Sequence, residues 1–167
     1  ADDLISLLIN QEVDGQTVSE AEFASLFVQI AVAGNETTRG LISSGMYALL
    51  QHPEDYCALE NDPSLIPAAV EEMLRYDSPV TNSGRIASRD LEVGGCPVHE
   101  GESLSTSLAA ANRDPAVYPD PDRFDITRED THHQAFGGGR HLCLGAHLAR
   151  VEAELQRSYI RAPIAGR

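Results

Sequence analysis

The stretch FGGGRHLCLGAHLAR, residues 136–150, places four glycines, two histidines, two arginines and one cysteine, Cys143, in fifteen positions. Glycines at this density cost conformational entropy on folding, so the backbone there must bend sharply or lie close to something. A phosphate cradle matches poorly, because no Lys-Ser/Thr pair follows and no acidic residue has the spacing of a ribose contact. The helical pattern that follows starts near Cys143 and runs to about Arg157. A thiol at a helix N-terminus, beside Arg140 and His141, stands where dipole and charge suit a thiolate. His141, Cys143 and His147 also form a candidate zinc set, although no paired Cys-x-x-C accompanies them.

Around this stretch the charge pattern changes. Asp and Glu outnumber Lys and Arg by 26 to 12, yet no carboxylate lies between Asp130 and Glu152. The window carries Arg140, Arg150 and four of the six histidines, His132, His133, His141 and His147. It reads as a surface that meets an anionic ligand or an acidic protein. The net charge of −14 argues against nucleic acid or anionic membrane as a general partner. No apolar run approaches the ~20 residues of a bilayer span, and no signal-peptide pattern opens the chain. The three cysteines, Cys57, Cys96 and Cys143, are far apart and odd in number, which points to a reducing cytoplasm rather than a disulfide framework. At 167 residues and 42% hydrophobic content the chain is one soluble globular domain's worth. It begins Ala1-Asp2-Asp3 and runs straight into Leu4, Leu7 and Leu8, as if entering an existing helix, so a fragment is expected.

Upstream the signals are helical. Ser19-Glu20-Ala21-Glu22 is a capping box, and apolar periodicity continues from Phe23, Leu26, Phe27 and Ile30 through Leu41, Ile42, Met46, Leu49 and Leu50 to a stop at Pro53. A helix over about 19–51 is roughly 45–50 Å long at 1.5 Å per residue. In its middle lies Ala33-Gly34-Asn35-Glu36-Thr37-Thr38. A solvated face is one reading; a buried acid beside a hydroxyl, next to a glycine that admits a ligand, is a proton-handling reading. Helices over 54–60 and about 64–76 follow, the second carrying Glu72-Met73-Leu74-Arg75 with its charges at i and i+3. Ile86-Ala87, Leu91–Val93 and Leu104–Leu108, set between Gly94-Gly95, Pro97 and Gly101, read as hairpin strands over 84–108. Residues 112–135 form a long Asp/Pro-rich coil, which a compact domain must hold by specific partners. The fold class is mainly α with small β hairpins.

In this order the motifs resemble one family, the cytochrome P-450 haem-thiolate monooxygenases. Phe136-Gly137-x-Gly139-x-His141-x-Cys143-x-Gly145 is similar to the family's haem-binding loop, Glu72-x-x-Arg75 to its acid–arginine pair, and Ala33-Gly34-x-Glu36-Thr37 to its oxygen-activating helix. The resemblance covers residues 1 to about 157 and only the C-terminal portion of such a fold, so the domain is expected to be incomplete. It implies haem b with Cys143 as the iron ligand, Phe136 beside the thiolate, and His141 and Arg85 at the haem propionates. It implies Gly34 and Thr37 at the oxygen site, Glu36 and Thr37 as a proton-delivering acid–alcohol pair, and a Glu72–Arg75–Arg123 network anchoring the long coil. By the same resemblance, one atom of dioxygen enters an apolar organic substrate, with electrons from NAD(P)H through a ferredoxin reductase and an acidic ferredoxin. The ferredoxin would meet the carboxylate-free window around Arg140 and Arg150. The soluble bacterial branch is the nearest in wording. The residues after Leu155, Ser158 to Arg167, depart from the family's continuation. A non-catalytic haem-binding piece and a zinc-binding module are the alternatives.

Overall fold

The computed structural model describes residues 3–10, 12–13, 15–129 and 131–155. The sequence readings that touch residues 1–2, Asp130 and 156–167 lie outside the described residues. By contacts the chain divides into two compact units, Ala1–Glu36 and Thr37–Arg167.

The first unit opens with helix α1 (Leu4–Ile9), whose N-terminus is capped by the Asp3 carboxylate accepting the Ser6 N–H at 2.7 Å. A short hairpin that the sequence reading did not contain follows. Its strands β1 (Glu12–Val13) and β2 (Gln16–Thr17) pair antiparallel about Gly15. Helix α2 (Glu20–Gln51) then begins at a closed capping box. The Glu22 carboxylate accepts the Ser19 N–H at 2.9 Å and its hydroxyl at 2.6 Å, and the Glu22 N–H returns a bond to Ser19 Oγ at 3.3 Å. Phe23 and Phe27 stack at 6.2 Å between ring centroids, while Leu26, Phe27, Val28 and Val32 are exposed within this unit.

In the second unit the remainder of α2 buries Thr38, Leu41, Gly45, Ala48 and Leu49, one stripe at helical spacing. Helix α3 (Pro53–Asn61) starts on a proline, whose missing N–H is no loss in the first turn. A 3-10 turn over Pro63–Leu65 leads into α4 (Ile66–Tyr76), which buries Ile66, Ala69, Val70 and Leu74 together with both charged residues of the Glu-x-x-Arg motif. These side chains form one core with Leu41, Leu49, Leu59, Phe124 and Ile126. Each large apolar side chain that is fully buried there is worth about 1.5–3 kcal/mol.

The β region is two ribbons, one nested between the strands of the other. Strand β3 (Asn82–Ile86) pairs antiparallel with β6 (Ser103–Ser107), Gly84 opposite Ser105. Between them β4 (Leu91–Val93) pairs with β5 (Cys96–Val98) across Gly94-Gly95. Leu108, read from sequence as the end of a strand, begins the short helix α5 (Leu108–Ala111), where Ser107 Oγ accepts the Ala110 N–H. The coil after α5 carries the chain back to the core through Tyr118, Phe124 and Ile126, all buried. A 3-10 turn at Gly139–His141 precedes the last helix, α6 (Ala146–Leu155), which packs against α4.

Candidate functional site

The long coil is held by one buried cation. Arg75 uses all five of its N–H donors. Two go to the Glu72 carboxylate, from Nε at 2.7 Å and Nη2 at 2.8 Å. The other three go to the carbonyls of Asn112 (2.9 Å), Pro121 (2.8 Å) and Arg123 (3.1 Å). Glu72 in turn accepts the Asp125 N–H at 2.9 Å. Both side chains are wholly buried, and such a pair is tolerable only because every donor is satisfied. The Arg75 guanidinium also lies 5.4 Å from the centroid of the Tyr118 ring.

The third member of this network differs from the expectation. Arg123 enters through its carbonyl alone; its guanidinium is turned to solvent, 3.7 Å from Asp125. The second cation at Glu72 is Arg128, whose Nε stands 3.4 Å from Glu72 Oε2 with only 10% of its side chain exposed. The reason is local. The coil turns at Asp120, φ 47°, and the carbonyls of Pro119, Asp120 and Arg123 gather around the Arg128 guanidinium. Arg128 Nε makes no hydrogen bond, so its link to Glu72 is an ion pair only.

Asn112, which carried no motif in the sequence, is fully buried and joins three segments. Its amide donates to Ser78 Oγ at 2.7 Å, its side-chain oxygen accepts the Gln134 N–H at 2.6 Å, and its carbonyl receives Arg75. The coil is thereby fixed at its start and again two residues before Phe136.

The cysteine loop follows. Gly137 and Gly139 adopt φ of 66° and 63°, which a side chain would strain. Phe136 packs against the core, and its carbonyl accepts the Cys143 N–H at 2.9 Å, closing the loop. Cys143 is an exposed free thiol. Helix α6 begins only at Ala146, so Cys143 stands three residues ahead of it rather than in its first turn. The glycine-rich loop delays the helix, because Gly145 is a poor helix former and the 3-10 turn must finish first. Arg140, His141 and His147 are exposed. Among the described residues no three His, Cys, Asp or Glu side chains converge on a metal position, so His141, Cys143 and His147 do not form the zinc set.

Beside the loop a second ionic cluster joins α4 to α6. Glu71 accepts Arg150 Nε at 2.6 Å and Nη2 at 3.0 Å, and lies 3.2 Å from His133 Nε2. His133 Nδ1 accepts the Ala135 N–H at 3.2 Å, which assigns the imidazole proton to Nε2, facing Glu71. Burial pushes the Glu71 carboxyl up, but hydrogen bonds from His133 and Arg150 and the Arg150 charge pull it down to about 2, from 4.5. The Arg150 guanidinium sits 4.6 Å over the Phe136 ring. This corrects the reading of the carboxylate-free window. Arg150 is not a free surface charge, because a carboxylate far away in sequence neutralises it.

The other expected site residues are placed as follows. Arg85 is exposed on β3 and bonds Ser83 Oγ at 2.6 Å and the Gly84 carbonyl at 2.7 Å. Gly34 and Glu36 belong to the first unit and Thr37 opens the second. Glu36 is exposed, which matches the solvated-face reading of this segment and not the buried-acid one. Two residues before Thr38, it points about 200° around the helix from the buried stripe. Thr37 is half-buried. A Cβ built on Gly34 would meet no atom within 4 Å.

The coil anchored by Glu72 and Arg75 and the glycine loop presenting Cys143 are, in folded form, two of the stretches whose sequence resembles the cytochrome P-450 family. The Cytochrome P450 family model matches residues 1–157, and the chain belongs to this family. It is 46% identical over 153 residues to the "Biotin biosynthesis cytochrome P450" of Bacillus subtilis (strain 168), covering 92% of this chain and 38% of that protein. It is 42% identical over 154 residues to a "Steroid C26-monooxygenase" of Mycobacterium tuberculosis, covering 92% and 41%. Among solved structures, P450BioI in complex with an acyl carrier protein ligated to hexadec-9Z-enoic acid superposes with TM-score 0.89 at 44% identity, over 96% of this chain and 41% of that one. CYP109E1 from Bacillus megaterium in complex with testosterone superposes with TM-score 0.88 at 36% identity, over 95% and 44%. The chain thus spans about two-fifths of the length of these relatives. The fold is mainly helical with small ribbons, part of the cytochrome P-450 architecture.

The loop fits the family's macrocycle. Leu142 and Leu144 flank the exposed thiol and are 60% and 93% exposed. Cβ atoms built on Gly139 and Gly145 would also meet nothing within 4 Å. The thiol is therefore exposed between two exposed leucines, with no atom crowding Gly139 or Gly145, which leaves room for a flat ring.

Proposed function

We propose that this chain carries the haem-binding and oxygen-activating part of a monooxygenase that inserts one atom of dioxygen into an apolar organic substrate. The observation that carries it is the exposed Cys143 thiol, tied by its N–H to Phe136 in a loop whose glycines clear the surface around it. Haem b, once bound, supplies the dioxygen activation and the oxidising power. Cys143 Sγ ligates its iron, and the glycines of the loop, Gly137, Gly139 and Gly145, keep side chains out of its way. His141 and Arg85, both exposed donors, would bind its two carboxylates. Phe136 shields the sulfur from the core side.

On α2, Gly34 leaves the backbone open, Thr37 holds a water, and Glu36 relays protons to that water. The Glu36 carboxylate is exposed and so within reach of solvent protons; the relay itself rests on the family resemblance of Gly34, Glu36 and Thr37. The balance requires it: substrate R–H, dioxygen, two electrons and two protons give R–OH and water. The electrons come from NAD(P)H through a reductase and a ferredoxin, docking beside Arg140. Unpaired thiols at Cys57, Cys96 and Cys143 suit a reducing cytoplasm, and among the described residues no helix is long and apolar enough to cross a membrane.

The test is coupling in the haem-loaded, electron-supplied protein. With a panel of apolar substrates, product per dioxygen consumed is measured for the parent and for Thr37→Ala. The parent is expected to hydroxylate at least one substrate. Thr37→Ala is expected to keep consuming dioxygen while releasing several-fold more hydrogen peroxide per product. Equal coupling in the two proteins contradicts the relay, and no hydroxylated product from the parent contradicts the monooxygenase reading.

A further inference from the structure

We propose that Glu71 is a positioning residue for the thiol loop, acting through Arg150 and His133 on Phe136. The inference rests on the haem-thiolate reading above and adds to it a carboxylate that no recognised motif contains.

Phe136 is the point at which the loop is tied. Its carbonyl accepts the Cys143 N–H at 2.9 Å, and the preceding turn closes with the Gly137 N–H on the Gln134 carbonyl at 2.8 Å. A shift of Phe136 therefore moves the Cys143 backbone directly. The Phe136 ring is in turn flanked by two groups. The Arg150 guanidinium lies 4.6 Å from its centroid, and the His133 ring stands 5.8 Å away, tilted by 51°. Both are held by the same carboxylate, Arg150 by two bonds of 2.6 and 3.0 Å and His133 by one of 3.2 Å. The His133 side chain is 2% exposed, so it has no water to replace Glu71 as acceptor.

Glu71 neighbours Glu72 on α4, and Glu72 is locked to the coil by Arg75. Adjacent helix positions point about 100° apart, so one rigid helix sends one carboxylate to the coil and the next to the loop. A planar guanidinium with both bonds made to one carboxylate has a fixed plane. The guanidinium carbon so held lies 4.6 Å over the centre of the Phe136 ring. Loss of Glu71 removes the two short bonds to the guanidinium, releases the His133 ring and leaves Arg150 with only the Glu154 charge and a bond of 3.4 Å to the Ala146 carbonyl.

The experiment uses the haem-loaded protein, reduced and saturated with carbon monoxide. The red-shifted thiolate-type band is followed over time as it converts to the histidine-like position. Glu71→Gln keeps the shape and removes the charge; Glu71→Asp keeps the charge on a shorter arm; Arg150→Lys keeps the charge and loses the planar fork. Conversion is expected about tenfold faster in Glu71→Gln and Arg150→Lys, the size of effect that outer partners of a metal ligand exert. Glu71→Asp is expected to lie between Gln and the parent. Thermal midpoints are recorded beside it, because a merely structural bridge lowers the midpoint and leaves the folded protein's conversion rate unchanged. Parent-like rates in folded Glu71→Gln and Arg150→Lys overturn the positioning role and leave the haem-thiolate reading standing. Loss of helical signal in both variants makes the cluster structural and also overturns it. A parent without the thiolate-type band overturns the haem-thiolate reading, and the positioning role with it.

Discussion

At the scale of single residues, the two carboxylates Glu71 and Glu72 explain why a long irregular coil and a glycine loop stay in place. Glu72 faces two cations, and their worth lies mainly in what their removal exposes. Glu72→Gln leaves Arg75 and Arg128 buried without a counter-charge and is expected to cost about 3–5 kcal/mol. The urea midpoint should fall accordingly. Arg123→Ala is expected to change stability by no more than about 0.5 kcal/mol, since only its carbonyl joins the network. A large loss in Arg123→Ala would contradict this assignment. Sequence spacing pointed to Glu72 and Arg75 because i and i+3 share a helix face. Arg123 was named by the family resemblance, and nothing in the order of residues reveals the turn at Asp120 or the carbonyls it gathers around Arg128. Asn112 was illegible for the same reason: its three bonds span up to 37 residues.

Glu71 carries a pH signature. Its folded carboxyl titrates at about 2, below its ordinary 4.5. Its stabilisation is therefore complete above about pH 4.5 and is lost as pH falls through 2. Parent and Glu71→Gln should accordingly converge in urea midpoint between pH 4.5 and 2, the parent showing the steeper fall. Parallel curves over that window would contradict the ion cluster.

At the scale of elements, α2 shows where local signals suffice and where they stop. The capping box at Ser19 and the proline at 53 bound the helix, because both act within one turn of the residue that carries them. The close approach of α2 to α4 had no such local signal. A Cβ on Gly45 would lie 2.5 Å from Met73 Sδ and 2.9 Å from its Cγ. Gly45→Ala gains about 1 kcal/mol of helix propensity, yet overpacking at a site this tight costs about 1–3 kcal/mol. The net expectation is a lower thermal midpoint, whereas in a Met73→Ala background, where the obstructing side chain is gone, adding Gly45→Ala is expected to raise the midpoint. A stabilised single variant would contradict the packing. Gly94-Gly95 marked the β4–β5 turn in sequence, while the pairing of β3 with β6 across the inserted ribbon depends on distant partners. The delayed start of α6 was misjudged because periodicity cannot separate a helix from the turn that leads into it.

At the scale of the whole molecule, the chain belongs to the Cytochrome P450 family and spans about two-fifths of the relatives it matches. Its family was legible in the sequence because the stretches that resemble it are short motifs in a fixed order. What those motifs omit is the support behind them, the paired carboxylates of α4 and the residues they hold. The measurement that tests the central claim most directly is a haem titration of this chain, followed by reduction and exposure to carbon monoxide, with Cys143→Ser alongside. The account predicts stoichiometric haem uptake and a strongly red-shifted, thiolate-type band in the parent that is absent from the variant. A histidine-like band in the parent, or the same spectrum from both proteins, would contradict it.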